Sequence, residues 1–346
     1  MRTSTELQAD GAGSAGRQPP AILVRGLVKR FDEVEAVRGV DFEVAPGEVF
    51  GFLGPNGAGK TTTINMLCTL AKPTAGEARV AGYDVVRERD DVRRNIGLVF
   101  QDQTLDSYMT GAQNLRLHAE LYGLQKDLVA PRMRQVLEMV GLWERKDSPV
   151  GTYSGGMRRR LEIARGMMHS PRVLFLDEPT IGLDPQTRRS IWNYIAELKE
   201  REEITIFMTT HYMDEAEWCD RIAIMDHGEI VALDAPQTLK AEVGTDRVSI
   251  QTDDNAAAIS ALADRFGIEA RVADGAVTFG VPGGEEFVPR LFAELDVPIQ
   301  GVSVSRPTLD DVFMSYTGST IRDAEEGDPG KYRSRMMMQM IHGGRR

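Results

Sequence analysis

Of the nine residues GPNGAGKTT, from Gly54 to Thr62, the first eight satisfy G-x-x-x-x-G-K-[ST] at every position. Glycine lets a backbone bend so that several N–H groups converge on one anion. Here Gly54, Gly57 and Gly59, with Pro55, Asn56 and Ala58 between them, follow an apolar strand and open a helix. A phosphate held by such a loop sits at the positive end of the helix. Lys60 would bridge a β- and a γ-phosphate, the Thr61 hydroxyl would ligate Mg2+, and Thr62 completes the loop. The chemistry is that of a nucleoside triphosphate with Mg2+.

A second stretch, RVLFLDEPT (172–180), supplies acids. Val173 to Leu176 form an apolar strand whose end presents two adjacent carboxylates. They divide the labour: Asp177 for the Mg2+ shell, Glu178 as general base on the attacking water. A third stretch, YSGGMRRR (153–160), opens another helix, so Ser154, Gly155 and Gly156 form a second site for an anion. One nucleotide does not need two phosphate loops in one subunit. Two subunits head to tail would use both, each Ser-Gly-Gly capping the γ-phosphate held by the other's Lys60.

The elements that must position these residues alternate strand and helix, predicting an α/β core with parallel pairing. Strands are expected at AILVRGLVKRF and AVRGVDFEV, with APGEVFGFLG a turn feeding a buried strand, then NIGLVF (95–100), RVLFLDEP and ITIFMTTH, with a hairpin over RIAIMDHGEIVALD. A helix is expected from Thr61 to Leu70. Apolar residues at three- and four-residue spacing make 105–168 a helical insertion. From 246 the order reads βαββαβ with one extra helix, a small α+β ferredoxin-like unit. Thr308 caps that last helix, with Asp311 at its third position. The expected division is a flexible leader over 1–20, a core over 21–243, a C-terminal accessory domain over 246–318 and a flexible tail over 319–346.

Composition narrows the partners. Across 346 residues the formal net charge is −11, and residues 246–320 carry five Arg/Lys against twelve Asp/Glu, so no nucleic-acid partner is expected. The two cysteines, Cys68 and Cys219, lie beside apolar residues and read as buried small hydrophobes. No apolar run reaches the length of a membrane span, and the N-terminus has no secretory core.

Taken together, these residues resemble the ATP-binding cassette (ABC) family, the nucleotide-binding subunits of ABC transporters, in motif order over roughly residues 21–243. The resemblance implies a P-loop ABC ATPase core with a helical subdomain. It further implies that Phe31 stacks on adenine and that Gln101 senses Mg2+ in the groove that receives the membrane subunit. Asp184 would communicate across the dimer, and His211 would act as the switch histidine on the γ-phosphate. The signature departs from the commoner L-S-G-G-Q, with Tyr153 for Leu and Met157 for Gln. YSGGMRRRLEIA and RPTLDDVFMSYTG also resemble the daunorubicin/doxorubicin-resistance-type branch, which pairs with a separate ABC-2 type permease. That likeness implies a homodimer, peripheral at the cytoplasmic face of the cell membrane, driving multidrug or antibiotic efflux, or export of lipid-like cargo. Two alternatives stay open: an importer subunit with a regulatory C-terminal domain, and a soluble cassette ATPase outside transport.

Overall fold

The computed structural model describes residues 18–318 apart from Glu203 and Asp274. The expected tail, and the leader through residue 17, lie outside the described residues.

The chain opens with an antiparallel pair, β1 (Ile22–Phe31) and β2 (Val34–Val44). The buried strand β3 (Val49–Leu53) then runs through the glycine loop into α1 (Lys60–Leu67). This helix stops short of the expected Leu70 because Thr69 takes a left-handed backbone, φ 63°. Next come β4 (Ala75–Val80), β5 (Tyr83–Asp84) and α2 (Arg89–Asn95), three elements that the apolar pattern did not announce. The reason is local: β4 buries only Ala78 and Val80, and α2 only Val92.

After β6 (Ile96–Val99) the helical insertion consists of α3 (Gly111–Leu121), α4 (Lys126–Met139) and α5 (Gly155–Gly166). It begins at Gly111 rather than Leu105, where Thr110 and Gln113 close a capping box. The chain returns through β7 (Val173–Asp177), α6 (Pro185–Glu202), β8 (Thr205–Thr210) and α7 (Met213–Ala216). The hairpin β9 (Arg221–Asp226) and β10 (Glu229–Asp234) and helix α8 (Pro236–Val243) follow.

The central sheet has the order β10-β9-β3-β8-β7-β6, parallel throughout except for the β9–β10 hairpin. Successive side chains of a strand point to opposite faces, and this sheet is buried on both. Phe50, Phe52, Phe175 and Phe207 face the antiparallel sheet β2-β1-β4-β5, where they cluster with Phe42. Val49, Leu53, Leu174, Leu176, Ile206 and Met208 face the helical side. Both cysteines are buried.

The last unit runs β11 (Asp246–Thr252), α9 (Asn255–Phe266), β12 (Ala270–Ala273), β13 (Ala276–Val281), α10 (Gly284–Glu294), β14 (Ile299–Ser305) and α11 (Leu309–Thr317). Its antiparallel sheet, ordered β12-β13-β11-β14, is the ferredoxin-like arrangement, and α9 and α10 cover one face over a separate apolar core. The extra helix α11 does not join that core. Leu309, Val312 and Phe313 are buried with Leu239 of α8 in the helical side of the central domain. No helix among the described residues is long and apolar enough to cross a membrane.

Candidate active site

Parallel strands place their C-terminal ends on one edge of the sheet, which is where open α/β folds bind ligands. The ends of β3, β7 and β8 carry the glycine loop, the Asp177–Glu178 pair and Thr209–His211.

In the loop, backbone approaches fix the glycines. A Cβ on Gly54 would meet the Met225 carbonyl oxygen at 2.2 Å, and one on Gly59 the Ala36 carbonyl oxygen at 2.5 Å. Gly59 is the N-cap of α1 at φ 105°, with no side-chain cap and no acid in the first turn. The first N–H groups of α1 are therefore left for an anion. A Cβ on Gly57 would enter open space, so this glycine serves its left-handed backbone, φ 82°, rather than a close approach. Lys60 is 4% exposed, and its ammonium donates to the Gly54 and Pro55 carbonyls at 2.7 and 3.0 Å.

The acids stand across from it. Thr61 Oγ1 donates to Asp177 Oδ1 at 3.2 Å, and Thr209 Oγ1 donates to the same oxygen at 2.5 Å. Burial pushes the Asp177 carboxyl up, against the two hydroxyls that favour its charge. Glu178 Oε1 lies 3.8 Å from Lys60 Nζ and 3.4 Å from His211 Nδ1. Burial would raise the Glu178 carboxyl, but His211 and the Lys60 ammonium outweigh it and hold it below the usual range. Its Oε2 is buried with no hydrogen-bond partner among the described residues. An orphaned carboxylate oxygen beside a phosphate loop fits a water.

This donor set suits Mg2+, a hard cation that keeps waters and substrate phosphates and needs only one or two protein oxygens. Thr61 Oγ1 and Asp177 Oδ1, 3.2 Å apart, are oxygens of the kind such a cation would take.

Other expected residues stand apart from this cluster. Gln101 is exposed beyond the end of β6, with no hydrogen bond to the carboxylates among the described residues. Phe31 is 49% exposed at the β1–β2 turn, with Lys29 Nζ 4.6 Å from its ring centre. Ser154 caps α5, accepting the Met157 N–H at 3.2 Å. A Cβ on Gly156 would meet Thr187 Cγ2 at 2.4 Å, so this glycine also lets α5 pack on α6. Asp184 accepts the Thr187 N–H at 3.0 Å at the start of α6, and the Thr187 contacts hold its carboxyl below the usual range. Tyr153 is buried and donates to the Arg145 carbonyl at 2.6 Å, which fits an aromatic where Leu is commoner.

Two residues escaped sequence reasoning. Thr209 grips both acids, since it also accepts the Glu178 N–H at 3.1 Å. Its signal was the hydroxyl two positions before His211. Arg159 is buried beneath Asp177–Pro179. It hid in a run of three arginines that reads as a solvated face.

The sequence model of the family described as ABC transporter matches residues 37–181, and that of the ATP-binding protein DrrA1-3-like C-terminal domain matches 235–317. The daunorubicin resistance ATP-binding protein DrrA3 of Streptomyces coeruleorubidus is 39% identical over 317 residues, covering 88% of this chain and 98% of that protein. The linearmycin resistance ATP-binding protein LnrL of Bacillus subtilis is 36% identical over 311 residues, covering 87% and 100%. Among solved structures, the ATP-binding cassette MJ0796, described as a dimeric post-hydrolysis state bound to ADP and Pi, superposes with a TM-score of 0.56. It is 26% identical, over 62% of this chain and 98% of that one.

Proposed function

The chain belongs to the ABC transporter family as an ATP-hydrolysing subunit of its drug-resistance branch, and on that premise we propose how its residues act. One observation carries the reading: Lys60, Thr61, Asp177, Glu178 and His211, from three strand ends, converge within 3.2–3.8 Å contacts.

The glycine loop, Gly54 to Thr62, binds the triphosphate of ATP, and Phe31 takes the adenine. Lys60 exchanges its contacts to Gly54 and Pro55 for phosphate oxygens. Thr61, Asp177 and Gln101 would hold Mg2+, which would supply charge neutralisation at the phosphates. Glu178, kept ionised by Lys60 and His211, receives a proton of the attacking water on Oε2. The water oxygen bonds to the γ-phosphorus, the bond to the bridging oxygen breaks, and ADP and phosphate leave. His211 orients Glu178 and the γ-phosphate. Two copies close head to tail, each bringing Ser154, Gly155, Gly156 and Asp184 to the other's nucleotide. The closure drives a separate membrane permease of ABC-2 type from its cytoplasmic face, and the cargo leaving the cell is drug-like or lipid-like.

Glu178→Gln tests this. Expected are ATP affinity within about threefold of the parent and hydrolysis lower by about 10²–10⁴, with a dimer by size exclusion in ATP and Mg2+. A monomer at saturating ATP and Mg2+ would remove the head-to-tail reading. Captured from membranes, the ATP-loaded variant should bring down an integral membrane protein in near-equal amount. A soluble partner alone would point away from transport.

A further inference from the structure

Helix α5 starts at the Ser-Gly-Gly cap and runs under the active site. Three of its side chains, at i, i+3 and i+6, face the loop that carries Gln101. Arg159 donates from Nη1 to the Phe100 carbonyl at 2.6 Å. Glu162 accepts the Thr104 N–H at 2.9 Å, and Arg165 donates to the Thr104 carbonyl at 2.9 Å. The loop is clamped at both ends by one helix face.

Arg159 also reaches the catalytic acids. Nε donates to the Pro179 carbonyl at 2.5 Å, and Nη2 to the carbonyls of Asp177 and Glu178 at 3.1 and 3.2 Å. Nη1 also pairs with Glu162 at 3.0 Å, and the two side chains are 7% and 1% exposed. A guanidinium has five N–H groups in a fixed plane. Here there is an acceptor for each of the five, and four of them are backbone carbonyls on either side of the site.

What those carbonyls hold is not a relaxed backbone. Glu178 sits at φ 44°, a left-handed conformation that a residue with a Cβ avoids. Such conformations persist where surrounding bonds over-determine them. Thr209 Oγ1 takes the Glu178 N–H and Arg159 takes its carbonyl, so both sides of the strained residue are fixed.

We propose that Arg159 is a positioning residue for hydrolysis. By bonding the carbonyls of Phe100, Asp177, Glu178 and Pro179, it holds Glu178 aimed at the water and ties that aim to the loop bearing Gln101. The inference rests on Glu178 being the base, as proposed above. Its consequence is that movement of α5 at one nucleotide's cap is transmitted to the base of the same subunit's own site.

The test is Arg159→Lys in the full chain with its permease. An ammonium has three donors and no planar fork, so it balances Glu162 but leaves at least two of the five acceptors bare. The expected result is kcat lower by about 10- to 100-fold, as for a catalytic group displaced by about an ångström. The KM for ATP and the affinity measured with a fluorescent ATP analogue should stay within about twofold of the parent. Should Arg159→Lys fail to fold, the double variant Arg159→Gln/Glu162→Gln, which leaves no unpaired buried charge, is read the same way. Parental kcat in a folded variant, a rise in KM that accounts for the loss, or loss of fold in both variants would overturn the proposal. Glu178→Gln is run in parallel. If it still hydrolyses, the base assignment fails; if it is inactive while Arg159→Lys keeps kcat, only the positioning role fails.

Discussion

Ser154 carries two tasks that one substitution can separate. It caps α5 in its own subunit, and in the proposed dimer it faces the partner's γ-phosphate. Aspartate is as good an N-cap as serine, so Ser154→Asp should keep the melting temperature within about 2 °C, whereas loss of a cap would cost about 1 kcal/mol. Its charge would face a triphosphate, and the ATP-dependent dimer of the Glu178→Gln background should disappear by size exclusion; a dimer that persists would mean the cap is its whole role. His118 offers a test at a residue outside the site. Burial, then the neighbouring His169 and Arg165, push its imidazole down to about 3. The folded state thus refuses a proton that the unfolded chain takes near pH 6.5. The stability tied to this neutral ring is full above about pH 6.5 and falls as the pH drops toward 3. His118→Phe, which keeps a ring against Tyr122, should lose less thermal stability between pH 7 and 5 than the parent. Parallel losses would contradict a buried neutral imidazole.

At the scale of elements, β8 shows how a strand serves two cores and a site. Phe207 points into the aromatic cluster, with rings of Phe52 and Phe50 at 4.9 and 5.7 Å, while Ile206 and Met208 point to the helical side. Thr209, one residue before the strand's end, then sets its hydroxyl on the acid pair. Phe207→Ala would open a cavity between two sheets that cannot collapse onto it, at about 3–5 kcal/mol. Urea unfolding should report that loss; a change below about 1 kcal/mol would mean the sheets close around the void. This strand was legible as an apolar run with a hydroxyl pair at its end. What could not be read was that the hydroxyl bonds the Asp177 carboxylate and the Glu178 backbone N–H, because β7 and β8 are distant in sequence and meet only through sheet pairing. The glycine loop was the opposite case, legible in full because its bends are local.

For the whole molecule, the last helix returns to the first domain. Leu309, Val312 and Phe313 are no more than 1% exposed, packed with α8, and Tyr316 donates to Glu242 at 2.9 Å. Cutting the chain at 245 would therefore strip apolar cover from the nucleotide-binding half as well as removing the ferredoxin-like sheet. Phe313→Ala should destabilise the chain by about 3–5 kcal/mol and lower its thermal transition, with the ATP site intact in whatever remains folded. An unchanged transition would show α11 to be a loose attachment.

The sequence by itself determined what is local: the phosphate loop, the adjacent acids on an apolar strand, the capped helices, and the order of elements in the C-terminal unit. Each depends on residues within a few positions of one another, where backbone freedom and periodicity act directly. Tertiary structure alone decided which distant segments share a site. It set Thr209 on Asp177 and Glu178, buried Arg159 out of a run of three arginines, and sent α11 across to α8. Those outcomes depend on sheet order and on which helix face finds cover, and contacts across long sequence separations leave no spacing in the chain to read.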